Sequence, residues 1–382
     1  MMHDFDILID RRYTSSLKWD RYGDRDIIPL WVADMDFAAP PAVLAAIHER
    51  VNHGVLGYTK VPRELTDILV EYLSSNFRWD VSRESIVYLP GLVCGLHVAA
   101  RSVGSVGDEQ VIFTPIYPPF FNASTSAGRI LREVPLLQDP KSLEWTIDFK
   151  MLQSVVSPRT RLLLLCNPHN PVGRVFSYTE LSRLAEFCVA RDITICSDEI
   201  HNGLLLDPIA RHIPIATMNE ATAQKTITLM APSKTYNIPG LACSFAIIQN
   251  REIRKAFTDV MNGIVPHVNV LGYAATIAAY RDSQEWLDDL LDYLRVNRDL
   301  VMDTLSRIPR ITISKVEATY LAWIDVRALQ LENGTKFFEN AGVGLSDGAE
   351  FGAPGFVRLN FACRRELLQN ALLRITNAIA GT

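Results

Sequence analysis

The sequence predicts an α/β chain with a mostly parallel central sheet flanked by helices, followed by a smaller α+β domain. Three observations carry this prediction. Short β-prone runs recur through the first two thirds of the 382 residues. These runs are apolar throughout rather than alternating, which suits strands covered on both faces. Helix-like stretches separate several of them, in the strand–helix–strand order of a parallel sheet. The composition, 48% hydrophobic and 21% charged, is that of a folded globular chain. At roughly 150 residues per domain, the length suggests two or three domains.

The elements follow in order. Residues 1–45 match neither a strand series nor a helical period and are grouped with the small domain. Strands are expected at Ile86–Leu89, Val111–Phe113, Leu162–Cys166, Ile193–Cys196, Thr226–Met230 and Phe245–Ile248. Between the third and fourth, Tyr178–Arg191 keeps Leu181, Leu184, Phe187 and Cys188 at helical spacing. The texture changes near residue 280. Ser283–Ile308 reads as one long amphipathic helix that turns Trp286, Leu290, Tyr293, Leu294 and Leu300 toward a core. Short strands are expected at Ile311–Ser314, Tyr320–Asp325 and Phe356–Phe361, with a closing helix over Arg365–Ile379. The expected division is therefore 1–45, 46–282 as the large ligand-binding domain, and 283–382 as the small one.

Several function classes are excluded. A net charge of −5 lacks the basic footprint of a nucleic-acid binder. No apolar run approaches the roughly 18 residues of a membrane span. The first residues, MMHDFDILIDRR, are polar and acidic, unlike a signal peptide. Six cysteines are scattered without a CxxC pair, as expected of reduced thiols in a cytoplasmic protein. Gly342-Val343-Gly344 with Gly348 has the wrong spacing for a dinucleotide loop, and His48-Glu49 lacks the second histidine of a zinc helix. No metal site is expected.

Polar segments directly follow three of the expected core strands. Asn167-Pro168-His169-Asn170 follows Leu162–Cys166, Ser197-Asp198-Glu199-Ile200-His201 follows Ile193–Cys196, and Ser233-Lys234 follows Thr226–Met230. In open α/β sheets ligands bind outside the carboxyl ends of strands, so Asn170, Asp198 and Lys234 are expected to share one crevice. A lysine beside an apolar strand end has its amine deprotonated more readily, which makes it a nucleophile toward a carbonyl. A nearby carboxylate favours a protonated ring nitrogen, and an amide or imidazole suits a phenolic oxygen. Together these groups match the needs of pyridoxal 5′-phosphate. In Phe356–Phe361 the period of two puts Arg358 on the face of Phe356 and Asn360, where a planar guanidinium would take a carboxylate.

These segments resemble the aminotransferase class I/II superfamily of pyridoxal 5′-phosphate enzymes, fold type I. Within it they are most similar to the MalY/PatB-type cystathionine β-lyase group. Trp31-Val32-Ala33-Asp34-Met35-Asp36-Phe37, Gly57-Tyr58-Thr59, Asn167–Arg174, Ser197–His201, Ser233-Lys234-Thr235 with Asn237, and Arg358-Leu359-Asn360 carry the likeness, in family order. The resemblance implies that Lys234 joins the cofactor aldehyde and serves as the base. It implies that Asp198 pairs with the ring nitrogen, Asn170 and His201 face the ring oxygen, and Tyr117 stacks on the ring. Gly91, Leu92 and Val93 would open a helix that holds the phosphate, with Ser233 as a further contact. Tyr58 would reach the phosphate of a neighbouring subunit, so a homodimer with shared sites is implied. Arg358, Ala33 and Tyr320 would meet the amino-acid substrate, with Tyr58 or Tyr320 as a proton donor to the leaving sulfur. Three places depart from the family pattern: Ala231 stands where relatives often carry a hydroxyl, Ala242 where many carry an arginine, and Leu92-Val93-Cys94 where the group usually has Val-Val-Pro. The implied reaction is β-elimination from an S-substituted cysteine or its sulfoxide. Transamination, a sulfoxide lyase of an ergothioneine or ovothiol type, and a non-enzymatic regulatory role stand as alternatives.

Overall fold

The computed structural model describes residues 3–381. A seven-stranded sheet occupies the middle of the chain. Its strands lie in the order Ile86–Leu89, Ser244–Ile247, Thr226–Met230, Thr194–Asp198, Thr160–Cys166, Glu109–Thr114, Ile130–Pro135. Six run in one direction. Only Ser244–Ile247 is antiparallel to both neighbours.

Each expected strand is present within two or three residues, and the physical reason lies in the two faces of the sheet. Val111, Phe113, Leu163, Leu165 and Ile195 pack with Leu181, Leu184 and Cys188 of the helix Tyr178–Val189. Their alternating neighbours Ile112, Leu162, Leu164, Cys196, Ile227 and Leu229 pack on the other face, against Leu92, Leu96 and Ala99 of the helix Leu92–Ser102. Both faces are buried, so the runs carry no polar alternation. Ile130–Pro135 was not expected because it is an edge strand in which only Val134 is buried. The helix Tyr178–Val189 starts at a capping box between Ser177 and Glu180.

A second sheet is wholly antiparallel, in the order Thr312–Ile313, Leu321–Asp325, Phe356–Asn360, Ser346–Asp347. The long helix Gln284–Leu305 and the closing helix Arg365–Ala380 accompany it. Trp286, Leu290 and Leu294 are buried, whereas Tyr293 and Leu300 are half-buried against the same core. Ile28–Pro29 pairs in parallel with Val343–Gly344, and Phe5 lies edge-on to Trp286. No helix among the described residues is long and apolar enough to cross a membrane, and no cluster of side chains there could hold a metal ion.

Candidate active site

Five of the parallel strands deliver residues to one cavity of about 370 Å³ at their carboxyl ends. Ile86–Leu89 leads to Gly91, Glu109–Thr114 to Tyr117, Thr160–Cys166 to Asn170, Thr194–Asp198 to Asp198 and His201, and Thr226–Met230 to Ser233 and Lys234. The second sheet contributes Arg358, and the segment after Pro29 contributes Val32 and Ala33.

Lys234 sits in a turn closed by hydrogen bonds from Tyr236 N to Pro232 O (2.9 Å) and from Ile238 N to Ser233 O (3.0 Å). Its Nζ donates to the Ala33 carbonyl at 2.6 Å. Burial and the Arg358 charge pull its pKa from 10.5 down to about 8. Asp198 is buried at its strand end and accepts from Ile200 N at 3.1 Å. Burial pushes its carboxyl up to about 7, and a cation beside it would reverse that direction. His201 is buried and held neutral, its pKa pulled down to about 3 by burial and then by the Lys234 and Arg358 charges.

Arg358 is 4% exposed and has no carboxylate partner among the described residues. Its guanidinium donates to Asn170 Oδ1 (2.9 Å), Trp31 O (2.9 Å) and Ser346 Oγ (3.3 Å), and lies 4.7 Å over the Phe351 ring. Burial draws its pKa down to about 10, so it stays charged near neutral pH. The bond to Asn170 was not foreseen. It occupies the amide oxygen, so what Asn170 offers a ligand is its NH2 donor.

The structure therefore gathers Lys234, Asp198, Asn170, His201, Tyr117, Gly91, Leu92, Val93, Ser233, Ala33 and Arg358 around one space. Two expected residues lie elsewhere. Tyr320 is buried behind the wall, its hydroxyl donating to the Ala33 carbonyl at 3.0 Å and its ring edge-on to His201. Tyr58 is fully exposed and lines a separate open groove with Leu56, Val61, Pro266 and Val268. The lining also includes Ala242, marked by its departure from the family pattern, and Cys94, Ile200, Pro239 and Cys243, which carried no expected site contact. These four share no spacing, so nothing local marked them.

The residues present fit the cofactor that the resemblance implies. Two buried polar atoms at this cavity, His201 Nδ1 and Arg358 Nε, have no partner of their own. The helix Leu92–Ser102 has no side-chain cap, so its first N–H groups stand free for an anion. Gly91 before it has φ +149°, a conformation that favours glycine, and a Cβ built there would meet nothing within 4 Å. The approach to the helix end is thus open.

Residues 25–375 match the family model for aminotransferase class I and II. The chain is 36% identical to cystathionine beta-lyase PatB of Bacillus subtilis (strain 168), over 99% of this chain and all of that protein. Among solved structures, OvoB superposes over the full length of both chains with a TM-score of 0.97 at 43% identity. Cystalysin from Treponema denticola, which contains pyridoxal 5′-phosphate, does so with a TM-score of 0.94 at 34% identity.

Proposed function

The chain belongs to the aminotransferase class I and II family, and from that premise we propose that it is a pyridoxal 5′-phosphate-dependent carbon–sulfur β-lyase. It cleaves an S-substituted L-cysteine, of cystathionine type or as a sulfoxide, to a thiol or sulfenate, pyruvate and ammonia. The observation that carries this reading is the convergence of Lys234, Asp198 and Arg358 on one cavity, in a chain matched over its length by a cystathionine β-lyase.

When bound, the cofactor supplies an aldehyde that takes up the substrate amine and a ring that withdraws electrons from Cα. The chain's residues do the rest. Arg358 binds the substrate carboxylate with a guanidinium already fixed by Asn170 and Ser346. Lys234, with its pKa near 8, has an appreciable free-base fraction at neutral pH and accepts the Cα proton. Asp198 would hold a negative charge for a ring cation. The helix Leu92–Ser102 and Ser233 would hold the phosphate, Tyr117 would lie against the ring, and His201 and the Asn170 amide would offer polar atoms to the ring oxygen. Val32, Leu92 and Ile200 add apolar surface to the lining.

The test is pyruvate release from S-alkyl cysteines with no keto acid present. The expected result is stoichiometric pyruvate and thiol. Activity that appears only when a keto acid is supplied would assign transamination instead. The likeness to OvoB favours a second reading, in which the substrate is the sulfoxide of a thiol-histidine conjugate. A panel pairing each conjugate with its sulfoxide separates the two, since a sulfoxide lyase turns over the sulfoxide at least tenfold faster.

The proposal includes a homodimer with shared sites. It is supported by the exposed apolar side chains Leu56, Tyr58 and Val61, which line one open groove with Pro266 and Val268. The proposed acid to the leaving sulfur is Tyr58 of the neighbouring copy, since the Tyr320 hydroxyl is already committed to Ala33. Mixing and reassociating two inactive variants, K234A and Y58A, is expected to restore about a quarter of the wild-type activity, because half the dimers then hold one intact site. No recovery would remove the sharing. Grouping 1–45 with 283–382 as the small domain, against 46–282, is also part of the proposal. Phe5, Ile28 and Leu30 share a core with Trp286, Leu290 and Ile324, which supports it.

A further inference from the structure

The stretch Trp31–Phe37 has no regular secondary structure, yet Ala33, Met35, Asp36 and Phe37 are buried. Buried backbone groups need partners, and here two side-chain amides supply them. Asn360 Nδ2 donates to both Val32 O and Asp34 O, each at 2.7 Å. Asn237 Nδ2 donates to Met35 O (3.1 Å) and Phe37 O (2.8 Å), while its Oδ1 accepts from Met35 N (3.0 Å). Between the two carbonyls taken by Asn360, the Ala33 carbonyl is left to accept from Lys234 Nζ at 2.6 Å and Tyr320 OH at 3.0 Å.

The far side of the stretch is pinned as well. Asp36 accepts from Lys18 Nζ (2.9 Å), Arg11 Nη1 (2.7 Å) and Trp19 Nε1 (2.8 Å), and Lys18 is wholly buried. The two asparagines are placed to couple this stretch to the chemistry. Asn237 is in the same turn as Lys234, three residues on, with φ +53°. Asn360 is two residues beyond Arg358 on the same strand and the same face.

We infer that Asn237 and Asn360 are positioning residues that hold the Ala33 carbonyl as the acceptor of the Lys234 amine whenever that amine is free of the cofactor. A carbonyl only accepts hydrogen bonds, so it stabilises the protonated amine against the penalty of burial. A proton taken from a substrate therefore stays on the amine while the leaving group departs. This deepens the proposed lyase reading and rests on Lys234 being its base.

The test reads the amine without reading turnover. The cofactor-stripped full-length chain is reductively methylated with formaldehyde and borohydride across a pH series, and Lys234 is followed by peptide mass, with the exposed Lys141 as control. Wild type is expected to show a midpoint near 8. N360L deletes the clamp without adding charge. N237G does so with a residue that tolerates the positive φ. Each should lower the Lys234 midpoint by about one pH unit, which makes methylation at pH 6 about tenfold faster, with Lys141 unchanged. Should these variants fail to fold, Y320F keeps both amides and removes the competing donor on Ala33 O, so its midpoint should rise. Unshifted midpoints in N360L and N237G, or a fall in Y320F, would overturn the inference. Shifts as stated in a protein that never takes up pyridoxal 5′-phosphate would overturn the lyase reading and leave the positioning role standing.

Discussion

Replacing Lys234 with alanine is expected to lower pyruvate release from any cysteine conjugate by about 10⁴-fold or more, because one side chain both attaches the cofactor and moves the Cα proton. No other described amine can substitute. Lys18, the one wholly buried lysine, is committed to Asp36 and does not line the cavity. Folding should survive the change. Below the folded-state pKa near 8, the buried ammonium is less favourable than in the unfolded chain, where the ordinary value is 10.5. At pH 7 the wild type therefore carries that penalty and the alanine variant does not. Stability relative to K234A should rise for the wild type as pH climbs from about 8 toward 10.5. Thermal unfolding of the two cofactor-stripped proteins at pH 7 and pH 9, alongside the rate assay on the loaded ones, checks both parts. A K234A protein that keeps a regulatory binding role but no catalysis would show the two to be separable. One that keeps both would remove lysine chemistry from the account.

Arg358→Leu should lower kcat/KM by about 10³-fold, close to 4 kcal/mol, mainly through KM. Its guanidinium is 4% exposed, forms no ion pair with a carboxylate among the described residues and keeps Nε without a partner. Such a charge is costly to bury unless a ligand completes it. Arg358→Lys should recover little. An ammonium is a point charge and cannot span Asn170 Oδ1, Trp31 O and Ser346 Oγ while lying flat over Phe351. The decisive comparison uses a substrate whose carboxylate is an amide. Wild type should discriminate strongly between acid and amide, and R358L should scarcely distinguish them. Equal discrimination in both proteins would place the carboxylate elsewhere.

The main chemistry was legible because it sits where core strands end. An apolar run followed at once by Asp198 or by Ser233-Lys234 is a conflict between burial and charge, and a single sequence shows it. Arg358 was legible for a related reason, as a charge that the period of two puts on the strand face of Phe356 and Asn360. What stayed hidden was whatever depends on long-range closure. Asn237 and Asn360 stood in recognisable segments, but nothing local told that both reach the stretch 31–37, some two hundred and three hundred residues away. The same holds for the Arg358–Asn170 bond, and for Lys18, whose partner Asp36 lies on an irregular segment with no period to read. Strand Ile130–Pro135 was missed because an exposed edge carries little apolar signal.

The account stands or falls on where the cofactor attaches. The protein as purified, incubated with pyridoxal 5′-phosphate, should be yellow. Borohydride should bleach the colour, and peptide mapping should then find a single pyridoxyl adduct, on Lys234. An adduct on any other lysine, or none on a protein fully active in pyruvate release, would contradict it.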